Sequence, residues 1–100
     1  MKYVIATVRV LVETQPELIA VLTHCKKATL REPACRGFDI LVSATDPEKV
    51  VVVESFDSHE DHMAHIEMPY VRAVHEVAER LALEKTFENI YADRVEVDHG

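Results

Sequence analysis

The spacing of hydrophobic and polar residues predicts a strand at the start of the chain and a helix after it. Across Tyr3–Val12 every even position is apolar, while the odd positions mix polar and apolar side chains. Because strand side chains alternate between two faces, one face should meet a dry core and the other an amphipathic environment. Thr14 and Glu17 then match a capping box, and apolar residues recur at helical spacing, which predicts a helix over residues 15–30.

Local signals divide the rest of the chain. Thr45–Glu48 has the composition of a turn between two strands. Ser58 is followed by acidic residues, which is typical of a helix N-cap. Pro69 should interrupt the helical pattern that follows, because proline removes a backbone hydrogen bond and clashes with the preceding turn. The elements predicted after the first helix are strands 35–44, 50–56 and 84–91 and helices 59–67 and 69–83.

The order of these elements, β-α-β-β-α-β, predicts an α+β fold in which a four-stranded antiparallel sheet carries the helices on one face. The other face has no predicted cover. Val50–Val53 nevertheless places valines on both sides of its strand, and Tyr3, Ile5 and Leu11 add apolar groups. An uncovered apolar face is an association site. We therefore expect a homodimer in which two sheets pack about a two-fold axis; the alternative is a monomer that uses this face as a ligand cleft.

Composition limits the classes of function. One hundred residues fit one domain, 1–100, and residues 92–100 are predicted to form a polar tail that could reach a partner. The net charge of −7 and the scattered basic residues argue against nucleic acid or an anionic membrane as a partner. No apolar run approaches the roughly 20 residues of a membrane span, and no export signal is evident. We therefore expect a cytoplasmic protein in which Cys25 and Cys35 are free thiols.

Several motifs, taken in order, resemble one known family. Glu32–Asp39 resembles the E-x-G-C-x-x-[YF]-x run that starts the second strand in the antibiotic biosynthesis monooxygenase family, and Asp46-Pro47 stands where that family often has a hairpin D-P. Glu54–Ser58 resembles its E-x-W-x-[SD] motif. Ala64-His65 with Pro69-Tyr70 resembles its A-H-x-x-[ST]-P-[HY]-[FY] motif. Order and spacing agree over nearly the whole chain.

The resemblance implies a ferredoxin-like fold that pairs into a dimeric α+β barrel. The family includes cofactor-independent oxygenases of quinols and polycyclic phenols, haem-degrading enzymes, and isomerases of small sugar-like phosphates. We expect a cofactor-independent monooxygenase that acts on a quinol or polyphenolic aromatic. The alternatives are a small-molecule isomerase, a haem-binding or haem-degrading protein, and a non-catalytic module that binds a small ligand. The chain departs from the family pattern at Ala34, Phe56, His62, Met68 and Tyr70.

His65 is the first candidate for a catalytic residue. The resemblance places it on the second helix, at the edge of the pocket between helix and sheet. An oxygenase without a cofactor must make its substrate electron-rich, and an imidazole base does this by deprotonating a phenol near neutral pH. The alternative is that His65 only braces the short helix.

His75 is the second catalytic candidate, because the haem-degrading members have an iron-ligating histidine at this position. Those members also use an asparagine and a tryptophan, for which this chain has Thr7 and His65. Haem is therefore the minority hypothesis, and no cofactor is expected. The alternative is that His75 is a partly buried or surface histidine.

Two candidates for substrate binding lie on the first strand. Thr7 and Arg9 share its odd face by alternation, and we expect this face to line the pocket. Arg9 would then hold an anionic substrate, or it would pair with Asp39 or Glu54.

Two further candidates for substrate binding lie close to the short helix. Phe56 should contribute an apolar wall to the pocket. Tyr70 should hydrogen-bond a substrate oxygen, unless it is a core tyrosine with its hydroxyl at the surface.

Three histidines suggest a metal site only weakly. His59, His62 and His65 lie three residues apart, within about 120° of one helix face. Zinc-binding helices usually space their histidines by four, and no second cluster of ligands is obvious. We expect no metal here and interpret the segment as a polar helix start.

Overall fold

The computed structural model describes residues 1–99 and consists of a sheet with helices packed on one face. In chain order its elements are β1 (Lys2–Arg9), a 3₁₀ turn (Val12–Thr14), α1 (Gln15–Thr29), β2 (Cys35–Val42), β3 (Lys49–Phe56), α2 (His59–Ile66), α3 (Pro69–Leu81), β4 (Glu84–Ile90) and β5 (Val95–Asp98). The predicted elements are all present, with ends that differ by a few residues.

The strands lie in the order β2-β3-β1-β4-β5, and each neighbouring pair is antiparallel. The first four give the predicted ferredoxin-like α+β fold. The fifth corrects the prediction of a polar tail over residues 92–100, because Val95–Asp98 pairs with β4. A hydrogen bond from the backbone N–H of Tyr91 to the carbonyl of Arg94 closes the turn between the two strands. Gly100, the end of the predicted tail, lies outside the described residues.

The end of β1 and the start of α1 differ from the sequence prediction. β1 stops at Arg9 because its partner strands start at Lys49 and Glu84, directly opposite that residue. The chain then turns, and Thr14 has helical backbone angles. An N-cap needs an extended backbone, so the predicted capping box does not form, and the Thr14 hydroxyl instead donates to the Leu11 carbonyl at 3.1 Å.

The even positions of β1 form the core, as predicted. Val4, Ala6 and Val8 are buried on the face that packs against the helices, which we call the helix-covered face. The opposite face, which we call the open face, carries the odd positions of β1 and their partners across the ladder. Val50 and Val52 are buried, whereas Val51 and Val53 point to the open face and stay half-buried.

The two helices that follow β3 begin where their local signals predict. The Ser58 hydroxyl accepts a hydrogen bond of 3.1 Å from the backbone N–H of Asp61, so it is a true N-cap of α2. α2 ends at Ile66, and α3 starts with Pro69 in its first turn, where the missing N–H costs nothing. This break lets α2 lie against β3 while α3 packs along α1.

Both cysteines are free, as predicted. Cys25 is buried in the core, and Cys35 is partly buried at the start of β2. Burial raises the pKa of both thiols. Within residues 1–99, no helix is long and apolar enough to cross a membrane.

The contrast between Ser58 and Thr14 yields a matched test of capping. Ser58→Ala should lower the free energy of unfolding by about 0.5–2 kcal/mol, because a backbone donor of α2 loses its partner. Thr14→Ala should cost much less, since the Thr14 side chain caps no helix donor. Urea unfolding of both variants measures the difference. Equal losses would contradict the assignment of the two caps.

Candidate active site

A cavity of about 350 Å³ lies between the helices and the helix-covered face of the sheet. Its floor consists mainly of apolar strand residues, and α1 and α3 supply most of the apolar roof. A smaller set of polar side chains reaches the cavity from the sheet, α2 and α3: Glu54, His62, His65, His75, Lys85, Asn89 and Asp98. A mostly apolar cavity with a few polar groups is typical of a small-molecule site.

The strand register places two of these polar groups on opposite sides of the floor. Glu54 on β3 and Asn89 on β4 both pair with Val4 of β1, one from each side. Their Cα atoms are therefore about 10 Å apart, since neighbouring strands are separated by roughly 4.8 Å. An aromatic ring that lies on Val4 could reach a polar group at either edge.

His65 is held between two carboxylates. Its Nδ1 lies 2.8 Å from Glu32 Oε2, and its Nε2 lies 3.1 Å from Glu54 Oε1. The imidazole is only 2% exposed, and both carboxylates are largely buried. Glu32 comes from the turn between α1 and β2, so three separate segments meet at this histidine. We call these three residues the Glu32–His65–Glu54 cluster.

The two carboxylates favour the protonated form of His65. Burial by itself lowers the pKa of His65, but the hydrogen bonds and charges of Glu54 and Glu32 outweigh it and raise the pKa. As an imidazolium, His65 donates from both nitrogens and has no free lone pair. In that form His65 has no lone pair with which to take a proton from the substrate, so its expected role as the base has no support in this geometry. An acceptor within the cluster is Glu54, which lines the cavity and whose Oε2 has no hydrogen bond within residues 1–99.

Tyr70 and Phe56 support the cluster from outside the cavity. The Tyr70 hydroxyl donates to Glu32 Oε2 at 2.5 Å, so it is engaged with a protein carboxylate. Burial and Glu32 both raise the pKa of Tyr70. Phe56 is fully buried, with its ring centroid 4.8 Å from that of His65. Neither side chain is part of the cavity wall, so their predicted contacts with substrate have no support in this geometry.

Thr7 and Arg9 are on the wrong face for the role that the sequence predicted. The cavity lies over the even positions of β1, whereas these residues point to the open face. Alternation shows which residues share a face, but it does not show which face the pocket uses. Arg9 pairs with Asp46 at 2.7 Å and Glu48 at 3.4 Å, and not with Asp39 or Glu54.

His75 lies on the cavity wall, at the α3 side. Burial and then the charge of Lys85 lower its pKa, so it is neutral. A neutral imidazole can ligate iron, but the other two expected haem contacts do not fit. Thr7 faces away from the cavity, and His65 is bound on both nitrogens by carboxylates. The residues present therefore do not match a haem site.

The sequence analysis did not identify Lys2, which contacts two of the histidines of α2. Its side chain is 2% exposed, and its Nζ lies 2.9 Å from His59 Nδ1 and 2.8 Å from His62 Nδ1. Its even position on β1 placed it on the helix-covered face, but nothing in the sequence indicated these partners. Within residues 1–99, no three His, Cys, Asp or Glu side chains are arranged to hold a metal ion.

The geometry around His65 generates a prediction about its titration. In wild-type protein His65 should titrate above the ordinary histidine value of 6.5. Glu54→Gln should lower that midpoint, because it removes a hydrogen bond and a negative charge from Nε2. NMR titration of the ring resonances measures both midpoints, and a wild-type midpoint at or below 6.5 would contradict the cluster.

The same raised pKa makes stability depend on pH. The contribution of the imidazolium is fully present below the unfolded-state pKa and is lost as pH rises through the raised folded-state value. The destabilisation caused by Glu54→Gln, measured by urea unfolding, should therefore shrink as pH rises through that range. Glu17→Gln, in an exposed pair with Arg80, is the control. A loss of unfolding free energy in Glu54→Gln that grows as pH rises would contradict a raised pKa of His65.

Comparisons with known proteins agree on the fold. Similar solved structures include a candidate antibiotic biosynthesis monooxygenase from Nitrosomonas europaea, with 22% identity and a TM-score of 0.86 over 92% of this chain and 98% of that chain. Rv0793 from Mycobacterium tuberculosis has 22% identity and a TM-score of 0.84 over 90% of this chain and 92% of that chain. SO0527 from Shewanella oneidensis has 23% identity and a TM-score of 0.82 over 96% of this chain and 90% of that chain. No curated protein matches the sequence. The family model for antibiotic biosynthesis monooxygenases matches residues 1–77, well over half of the chain. The chain therefore belongs to the antibiotic biosynthesis monooxygenase family.

Proposed function

We propose that this protein is a cofactor-independent monooxygenase that oxidises a quinol or polyphenolic aromatic with O₂. Family membership supports monooxygenase chemistry in general. The observation that carries the specific proposal is the Glu32–His65–Glu54 cluster, which presents one carboxylate to a cavity that is otherwise mainly apolar.

The cavity has the size and surface for a small aromatic. A volume of about 350 Å³ is within the usual range for small-molecule sites. The floor of Val4, Ala6 and Phe87 suits an aromatic ring, which loses little by leaving water. Hydroxyl groups at the ring edge would meet Glu54 on one side and Asn89 or His75 on the other.

Glu54 is placed to take a proton from the substrate. It lines the cavity, and its Oε2 makes no hydrogen bond within residues 1–99. A phenol that lies against Glu54 would give its proton to Oε2, and the electron pair of the O–H bond would remain on the phenolate oxygen. His65 acts here as a positioning residue, since it orients Glu54.

The phenolate supplies the electrons for the oxidation. The phenolate reduces O₂, and a peroxide forms on a ring carbon of the substrate. In the keto tautomer of the substrate this carbon carries two hydrogens. Glu54 returns its proton to the peroxide, and loss of water from the hydroperoxide, with the hydrogen still on that carbon, leaves a carbonyl. One oxygen atom enters the product, and the second leaves as water with the two hydrogens of the substrate. All electrons come from the substrate, so the reaction needs no added reductant.

Oxygen uptake tests this proposal directly. Metal-free, haem-free protein should consume O₂ with at least one member of a panel of hydroquinones and anthrones. Glu54→Gln keeps the shape of the side chain but removes the base, so kcat should fall by roughly 10²–10⁴. Glu17→Gln, at an exposed glutamate of α1, should keep the wild-type rate.

Two other outcomes of the assay are informative. Equal uptake by wild type and Glu54→Gln would assign the rate to autoxidation or to a different base, and would refute this mechanism. No uptake with any substrate would remove the oxygenase and leave the isomerase or the ligand-binding module.

We also propose that the protein works as a homodimer through the open face of the sheet. This face carries exposed or half-buried apolar side chains from most of its strands: Tyr3, Ile5, Leu41, Val51, Val53, Ile90, Val95 and Val97. Exposed apolar side chains grouped on one face are stabilised when another protein surface covers them. A second copy of the same sheet is the simplest cover, because a two-fold interface uses the same surface twice.

A matched pair of leucines tests the dimer. Leu41, on the open face, and Leu30, at the end of α1, are each 50% exposed. Leu41→Lys should shift the protein from twice its chain mass of 11.4 kDa to the mass of one chain, because a charge would be buried in the interface. Leu30→Lys should not change the mass. Light scattering that gives 11.4 kDa for the wild type at micromolar concentration would refute the dimer.

A further inference from the structure

We propose that His62 donates a hydrogen bond to the substrate oxyanion, and that the buried Lys2 holds His62 in the one tautomer that can do this. The inference deepens the proposed function and rests on it for the substrate class. It concerns α2 and the start of β1, apart from the Glu32–His65–Glu54 cluster.

Lys2 determines which nitrogen of His62 carries the proton. An ammonium group has three donors and no acceptor. Its Nζ lies 2.8 Å from His62 Nδ1 and 2.9 Å from His59 Nδ1, so both of these nitrogens accept. The Lys2 side chain is 2% exposed, and the Tyr91 ring covers it with its centroid 5.0 Å from Nζ. A neutral His62 must therefore carry its proton on Nε2.

The surroundings keep His62 neutral. Burial, followed by the positive charges of Lys2, His65 and His59, lowers the pKa of His62 to about 3. Its neighbour three residues along the same helix, His65, has its pKa raised by carboxylates. The two histidines of α2 that line the cavity therefore have pKa values shifted in opposite directions.

The Nε2–H of His62 is free to meet a ligand. His62 lines the cavity, and its Nε2 has no hydrogen-bond partner within residues 1–99. In that part of the chain every fully buried side-chain nitrogen or oxygen has a partner. The Nε2 donor is therefore accessible, on a side chain that lines the cavity.

A neutral donor suits an oxyanion that has to stay ionised. Glu54 takes the phenolic proton, and the electron pair stays on the substrate oxygen. The His62 N–H then donates a hydrogen bond to this oxygen but keeps its own proton, because a neutral imidazole is a very weak acid. Preorganised donors of this kind act where charge develops.

Imidazole ¹⁵N NMR tests the tautomer without any assay of activity. In wild-type protein His62 should show a protonated Nε2 and an unprotonated Nδ1, unchanged from about pH 5 to about pH 8. Lys2→Met should release the constraint and give a mixture of tautomers. A protonated Nδ1 in wild-type protein would overturn the inference.

Binding of 4-nitrophenol tests the oxyanion contact, because nitrophenolate is coloured and its ionisation can be followed in the bound state. Wild-type protein should bind the phenolate form preferentially. His62→Phe keeps a ring against Phe56, whose centroid lies 5.2 Å from that of His62, but it removes the donor. Its affinity for nitrophenolate should fall about tenfold or more, as for a lost hydrogen bond to a charged group, while its affinity for nitrobenzene should not change.

Two variants complete the binding test. His62→Gln retains an N–H donor and should recover part of the affinity, which a purely structural role of His62 does not predict. His24→Phe, at an exposed histidine of α1, should bind both probes like wild type. Failure of wild-type protein to bind nitrophenolate, or equal binding by His62→Phe, would overturn the inference.

Failure of the inference about His62 and failure of the oxygenase proposal would give different experimental results. Oxygen uptake that depends on Glu54 but is unchanged in His62→Phe would leave the oxygenase intact and overturn the role of His62. Nitrophenolate binding that depends on His62, without oxygen uptake on any substrate, would support His62 as an oxyanion donor and remove the oxygenase.

Discussion

The interaction on which the candidate site depends is the enclosure of one imidazolium between two carboxylates. Charges are costly to bury, and they stay buried only when partners satisfy them on every side. His65 meets this condition with Glu32 at 2.8 Å and Glu54 at 3.1 Å, and the Tyr70 hydroxyl adds a donor to Glu32. The cluster therefore ties α2 to β3, to the turn before β2 and to α3. It also orients Glu54, a carboxylate that lines the cavity.

A second buried group gives a neighbouring histidine the opposite character. His62 and His65 are three residues apart on α2, and their ring centroids are 6.1 Å apart. Carboxylates surround His65, whereas the Lys2 ammonium contacts His62. Their pKa values move in opposite directions, so identical side chains on one helix can have different roles. Such a separation is a recurring feature of sites that carry out proton transfer.

The sheet divides its two faces between two functions. The helix-covered face bears the core and the cavity, which are closed from above by α1 and α3. The open face bears apolar residues that the rest of the described chain, residues 1–99, leaves exposed or half-buried, and we propose that it contacts a second protomer. Because successive side chains point to opposite faces, each strand contributes to both functions. A one-residue slip in the β1 register would exchange the two sets of side chains.

Local patterns in the sequence determined the elements, the N-cap at Ser58, the break at Pro69 and the buried even positions of β1, because each depends on residues within a turn or two of one another. Tertiary structure alone decided the end of β1, the loss of the Thr14 cap and the pairing of β5, since these depend on where the partner strands lie. It also decided which face holds the cavity. The contacts that define the site join residues far apart in sequence: His65 to Glu32 across 33 positions and Lys2 to His62 across 60. No periodic pattern reports such pairs, so the sequence could single out His65 but not the partners that determine its charge.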